Sequence, residues 1–399
     1  MTNNYMKKTL LLTALLSLGT SLFAQEKNDG FQFTVVKENP ITSTKNQNRS
    51  GTCWAFSSLG FFEAELLRMG KGEWDFSEMY LAHKTYEDRA KATVRLHGDM
   101  DFSQGGSFYD CVYCMKNYGM IPQSAMPEPG TLYGDSLPNF GEFFSILTPM
   151  VKAVAKGEQK KLSPIWFKPI NATLDAYLGE VPTEFTYKGK KYTPKSYMAS
   201  TGLNMDDYVS LTSFTHHPFY EQFVIEVQDN WRWGLSYNLP LDEFMEVMES
   251  AVKNGYTFAW GADVSENGFS REGIAVCPDL KKVKETSGSD YEHWFGTSGT
   301  PSRAAYTARP LPEITVTQEM RQEAYDNWET TDDHGMIIYG IAKDQNGKEY
   351  FMVKNSWGTD YKYNGVWYAS KAFVAYKTLN ILIHKDALPK NIAKKLGIK

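Results

Sequence analysis

The 399-residue chain lacks any excess of basic charge, with 42 Lys and Arg against 47 Asp and Glu and a formal net charge of −5. That balance gives no electrostatic basis for nucleic-acid binding, which needs a basic face. Long runs of one charge sign and fixed-period repeats are absent too, which excludes charged tails and repeat arrays. Cysteine is scarce: Cys53, Cys111, Cys114 and Cys277 are the only four. Cys111 and Cys114 form a lone C-x-x-C, and neither a second pair nor clustered histidines complete a metal set, so no metal and no cofactor is expected. Their spacing suits two small apolar residues on one helix face. If Cys53 is kept free, the remaining three cannot all pair.

Apolar runs are short as well. "TLLLTALLSLGTSLFA" follows Lys7 and Lys8 and stops at Ala24 before polar "QEKNDG". It falls short of the ~20 apolar residues of a membrane-spanning helix. The pattern is that of a signal peptide over residues 1–24. No cysteine follows the run, which argues against a lipid anchor, and no later segment is long and apolar enough to span a membrane. The expectation is an exported chain, periplasmic or secreted. The whole chain is 42% hydrophobic, 14% aromatic and 22% charged, the composition of an ordinary globular protein.

Helical spacing dominates the first third. "CWAFSSLGFFEAELLRMGKG" repeats apolar residues at helical intervals and stops at glycine, "FSEMYLAHKTYEDRA" has Ser77 as an N-cap, and "SQGGSFYDCVYCMKNYG" is a glycine turn entering a short helix. In the less legible middle, "TEFTYKGKKYTPKSYM" predicts a hairpin around Gly189. "LPLDEFMEVMESAVKNGY" predicts an amphipathic helix and "TFAWGADVS" a buried strand. Towards the end, "HGMIIYGIAKDQNGKEYFMVKNSWG" predicts two strands about a turn, and "GVWYASKAFV" and "TLNILIHK" further strands. Helices first and strands later imply an α+β chain whose halves face each other across a cleft.

The stretch "NQNRSGTCWAFSS" sets Cys53 at a helix start, where the macrodipole and free backbone N–H groups favour a thiolate. Gln47, six residues earlier, could join the Cys53 N–H in an oxyanion hole. A nucleophile needs a base, and the base an orienting partner. Of seven histidines, His216 and His217 are adjacent and expected to diverge in a solvated loop, while His83, His97, His293 and His384 lack a partner signature. His334 begins the hairpin whose returning strand ends in "KNSWG", so the turn brings Asn355 back towards it. An asparagine carbonyl can accept one imidazole N–H and leave the other nitrogen for a thiol, and Trp357 could shield that bond from water.

Gln47, Cys53 with Trp54, the pair Gly105–Gly106, His334 and "NSWG" together resemble the papain-like cysteine peptidases in order and spacing. More closely, "SGTCW", "FSEMYLAHK", "QGGSFYDCVYCMKNYGMIPQSAMPE" and "LPLDEFMEVMESAVKNGYTFAWGADVS" resemble the bleomycin hydrolase and aminopeptidase C branch. The resemblance implies the papain-like fold, a helical half and a β-barrel-like half around a cleft, over residues 25–399. About 140–233 is then a family-specific insertion within the 280 residues separating Cys53 from His334. It implies Cys53, His334, Asn355 and Gln47 as catalytic residues, Gly105, Gly106 and Trp357 as substrate-binding residues, peptide substrates, and a homo-oligomer (a hexamer in that branch). The function implied is a cysteine aminopeptidase; an open-cleft endopeptidase and a non-catalytic peptide-binding protein are the alternatives. In that branch a C-terminal arm brings its carboxylate into the cleft. Here "HKDALPKNIAKKLGIK" is short and basic, which sets exopeptidase restriction apart from the rest of the resemblance.

Overall fold

The computed structural model describes residues 30–127, 129, 137–287 and 303–399. Residues 1–24, expected to be a signal peptide, and His293 lie outside them. The first half is helical: α1 (Cys53–Arg68), α2 (Glu78–Arg95), α3 (Phe108–Asn117), α4 (Gly141–Ala155), α5 (Lys168–Leu178) and α6 (Pro194–Thr201). Ser77 caps α2 by accepting the Tyr80 N–H at 3.1 Å, and Asp110 closes a capping box with Ser107 at the start of α3. These helices enclose one apolar cluster built on Trp54, Phe61, Tyr86, Phe143, Leu174 and Tyr197. Cys111 and Cys114 are buried in it as free thiols, the apolar role their spacing suggests.

The strands are β1 (Phe33–Glu38), β2 (Phe185–Tyr187), β3 (Lys190–Tyr192), β4 (Tyr208–Thr212), β5 (Gln222–Val224), β6 (Leu235–Asn238), β7 (Phe258–Ala262), β8 (Phe269–Ser270), β9 (Ile274–Ala275), β10 (His334–Asp344), β11 (Glu349–Lys354), β12 (Val366–Ser370) and β13 (Thr378–His384). β2 and β3 pair alone as the hairpin at Gly189; the rest form one mixed sheet in the order β5-β6-β4-β13-β7-β10-β11-β12-β9-β8, with β1 on β10. Helices α7 (Leu241–Lys253), α8 (Leu280–Ser287), α9 (Arg303–Thr307), α10 (Gln318–Asp326), α11 (Lys371–Lys377) and α12 (Lys390–Lys395) accompany it. "SKAFV" was expected to be strand, but Ser370 accepts the Phe373 N–H at 3.1 Å and starts α11 instead. Among the described residues no helix is long and apolar enough to cross a membrane.

The segment expected as an insertion is shared between both halves. Its helices α4, α5 and α6 extend the helical core, whereas β4 and β5, with β6 just after the segment, extend the sheet at one edge. Strand alternation then assigns the faces of β13: Leu382 joins the core of the helical half, while Ile381 and Ile383 pack on the opposite side. That far side also receives α7 and the end of the sequence, where Leu388, Ile392 and Leu396 are buried with Phe244 and Val247. Lys395 pairs with Glu243 of α7 at 2.6 Å. The last residues therefore pack on the face of the sheet turned away from the helical half.

The two halves meet where β10 crosses α1. Gly335 and Gly60 permit the approach: a Cβ at Gly335 would meet the Ser57 hydroxyl at 2.6 Å, and one at Gly60 the Ile337 side chain at 2.8 Å. Behind this crossing runs a buried polar chain. Lys354 donates to Thr42 at 3.0 Å, Thr42 donates to Glu63 at 2.8 Å, and Lys45 pairs with Glu78 at 2.7 Å.

If the docked C-terminal helix is structural, Ile392→Ala should lower stability by about 2–4 kcal/mol, as buried large-to-small changes do. Urea unfolding measures this, and the preference between free and N-blocked substrates should stay as in the parent.

Candidate active site

Cys53 is the first residue of α1, and its N-cap Thr52 makes no side-chain bond to the first turn. The Thr52 hydroxyl pairs with Ser50 at 2.5 Å instead, and no acidic residue occupies that turn. The positive end of the helix is thus left to the thiol and to whatever binds it. Gln104, whose part was not foreseen in the sequence, holds this loop. Its side-chain oxygen accepts the Gly51 N–H at 2.7 Å, and its carbonyl accepts from Trp54 Nε1 at 3.1 Å and the Tyr86 hydroxyl at 2.7 Å.

His334 opens β10, which pairs with β7 from His334↔Ala262 onwards. Asn355 follows the last residue of β11, and the register Ile337↔Lys354 brings it alongside the start of β10. The His334 Nε2 and Asn355 Oδ1 atoms are 2.7 Å apart. Oδ1 also accepts the Ser356 N–H at 2.7 Å, which fixes the amide orientation. An amide oxygen only accepts, so Nε2 carries the proton and Nδ1 is left as a base. Trp357 lies against the imidazole, ring centroids 4.8 Å apart, among Phe269, Tyr361 and Trp367. It packs behind the histidine, outside the residues that line the cleft, where it shields the imidazole.

Gln47 is buried beside the same segment. Its Oε1 accepts from the Ser356 hydroxyl at 2.6 Å and its Nε2 donates to the Ser50 carbonyl at 2.8 Å, leaving one amide hydrogen for another acceptor. Cys53 and His334 face a cleft of about 480 Å³ whose lining includes Gly106, Phe108, Asp229 and Asp332. Gly106 lies against the Trp54 ring; over Gly105 stands the Asp229 carboxylate, so only part of the glycine pair faces the cleft.

Burial raises the Cys53 thiol to about 12, with the negative charges of Asp332 and Asp229 adding to it; the Gly335 and Trp54 N–H groups act against them. Burial lowers His334 to about 4, opposed by its bond to Asn355. Each group is therefore neutral at rest, and the chemistry available is transfer of the thiol proton to the imidazole as sulfur attacks.

Two family models match the chain: "Papain family cysteine protease" over residues 30–91 and "Peptidase C1-like family" over residues 297–398. The first spans Gln47 and Cys53, the second His334 and Asn355. The chain is a cysteine peptidase whose two site-bearing segments each match a papain-type family model. Aminopeptidase C of Streptococcus thermophilus is 23% identical over 94% of this peptidase and 86% of that protein. Aminopeptidase C of Listeria monocytogenes is 24% identical over 87% and 81%. The crystal structure of PepW from Lactobacillus rhamnosis HN001 shares the fold, with a TM-score of 0.66 and 20% identity over 99% of this chain and 92% of that one.

The other described histidines lie outside the cleft lining. His83 bonds Asp175 at 2.8 Å within the helical half. His216 and His217 do not diverge as expected: both direct Nε2 to the Glu226 carboxylate at 3.1 Å. Among the described residues these three are the one group of potential ligand atoms close enough to share a metal ion.

The protonation pattern predicts how Cys53 responds to pH. His334 stays neutral, and able to accept the thiol proton, until pH falls to about 4. Alkylation of Cys53 by a neutral haloacetamide should therefore persist down to about that pH. In His334→Ala the thiol has no acceptor, and reactivity should retreat to alkaline pH. Superimposable profiles would remove His334 from the role of base.

Proposed function

We propose that this papain-family peptidase is an aminopeptidase, with Cys53 as nucleophile and His334 as the base and then the acid. Asn355 orients the imidazole, and the Gln47 amide joins the Cys53 N–H in binding the oxyanion. The observation that carries the reading is the 2.7 Å His334–Asn355 bond at the edge of a cleft that Cys53 also lines. Sulfur attacks the scissile carbonyl carbon while its proton passes to His334 Nδ1. The imidazolium returns that proton to the leaving amine as the C–N bond breaks, giving a thioester. Water then attacks the thioester, His334 takes its proton, and the thiol leaves with the acid product released.

Aminopeptidase specificity is supported by the relatives that bear that name and by the loop 225–234, which lines the cleft with Asp229 and Trp233. An endopeptidase with a cleft open at both ends is the competing reading. Export through the signal-peptide segment and assembly into a homo-oligomer belong to the same proposal; cell fractionation and light scattering test them.

Turnover of aminoacyl-coumarins and N-blocked peptides decides between the readings. Cys53→Ala should abolish hydrolysis, while Cys277→Ser should retain most of it. Gln47→Ala should lower kcat ~100-fold or more with little change in KM, the usual cost of one oxyanion donor. Substantial turnover by Cys53→Ala would overturn the mechanism, and internal cleavage of blocked peptides by the parent enzyme would overturn the aminopeptidase reading.

A further inference from the structure

The loop between β5 and β6 is a built element. Asn230, buried at its centre, donates to the carbonyls of Ile225 at 3.1 Å and Gly234 at 3.0 Å and accepts the Gly234 N–H at 2.8 Å. Both of its ends belong to the sheet, yet it is fastened to the helical half. Arg232 donates to Asp110 of α3 at 2.6 Å and to Asp88 of α2 at 2.8 Å, and its guanidinium lies 4.2 Å from the centre of the Trp231 ring. The loop thus crosses the cleft from one half to the other, and Ile225, Val227, Asp229 and Trp233 join Cys53 in its lining.

Its most informative side chain is Asp229. A Cβ built on Gly105 would fall on the Asp229 carboxylate, so this group sits directly on the glycine backbone that an extended substrate would use for pairing. Arg89 and Ser103 hold it only loosely, each at 3.5 Å, and its side chain is 26% exposed, on the cleft side. The buried Arg89 guanidinium binds other groups more closely, Nη1 donating to the Gly105 carbonyl at 2.7 Å and Nε to the Asp101 carbonyl at 3.1 Å, while Nη2 has no partner among the described residues. Asp332, two residues before His334, also lines the cleft. Lys116 is the one lysine of that lining and is already paired with Asp206.

Negative charge beside Cys53 opposes formation of a thiolate. Burial raises both carboxyl groups, Asp229 and Asp332, the latter to about 7, and a cation bound between them would favour their ionised forms. The last residues of the sequence pack on the far side of the sheet and contribute nothing to the cleft lining. Among the described residues, the group placed to meet a free amino terminus is therefore the Asp229 carboxylate of the loop.

We propose that the loop 225–234 is the exopeptidase stop of this enzyme: it closes the cleft beyond Gly106, and its Asp229 carboxylate, seconded by Asp332, binds the α-ammonium of the substrate. The ligand class is a peptide with a free amino terminus, and the inference rests on the aminopeptidase reading above. The site would both attract the terminal amine and refuse chains that continue past it.

The test uses the full-length enzyme and the variants Asp229→Asn, Asp229→Ala and Asp332→Asn, with matched free and N-acetylated aminoacyl-coumarins. For Asp229→Asn, kcat/KM on the free amine should fall about tenfold or more, mostly through KM, as expected for removing one partner of a desolvated charge pair. Asp332→Asn should show a smaller loss of the same kind. Asp229→Ala, which also clears the space over Gly105, should gain activity on the acetylated substrate. Alkylation of Cys53 by a neutral haloacetamide should be as fast as in the parent or faster, which separates lost recognition from a damaged site. A free-to-acetylated ratio unchanged in all three variants overturns the inference, as does an equal fall on both substrates accompanied by slower alkylation. A parent enzyme that cuts acetylated peptides internally would instead refute the aminopeptidase reading itself.

Discussion

The close crossing of β10 over α1 is the contact on which the site depends. Gly335 lies where any side chain would press on the Ser57 hydroxyl and approach the Cys53 carbonyl. Because nothing separates strand from helix there, the residue before Gly335 reaches the start of α1, and that residue is His334. Both groups are held by regular structure, the thiol by the first turn of a helix and the imidazole by the first rung of a ladder with β7. A site built on such elements keeps its geometry better than one assembled from loops.

Electrostatics then work against the crossing as much as for it. Burial disfavours a charged thiol and a charged imidazole alike, and the cleft carboxylates add to the penalty on sulfur. The compensations are specific: backbone N–H groups of Gly335 and Trp54 for sulfur, the Asn355 oxygen for the ring. Trp357 keeps water from the His334–Asn355 bond, where an exposed bond would be weaker. The Lys354–Thr42–Glu63 chain shows the same economy, joining β11 to α1 through buried groups that each find a partner.

The segment between the two catalytic stretches serves both halves. Its helices enlarge the helical core and its strands lengthen the sheet, so its connecting loop 225–234 has to pass from sheet to helices across the cleft. Topology places that loop beside the nucleophile. The end of the sequence, buried under α7, is held where it cannot take the same part.

Much of the chemistry was legible in the sequence because it is local. A helix beginning at Cys53, a hairpin carrying His334 and Asn355, and the cap at Ser77 each depend on residues within a few turns or one strand pair of each other. The apolar role of Cys111 and Cys114 follows from helical spacing in the same way. Ser370 was a local signal that the strand-forming residues around it obscured. Tertiary structure alone decided what joins distant segments: Gln104 on the Cys53 loop, and His216 and His217 converging on Glu226. It also decided that Asp229, 124 positions beyond Gly105, would stand over it. Periodicity and capping report interactions along the chain, whereas these contacts arise only when two separately folded surfaces meet, and their partners are chosen by shape and charge across that meeting.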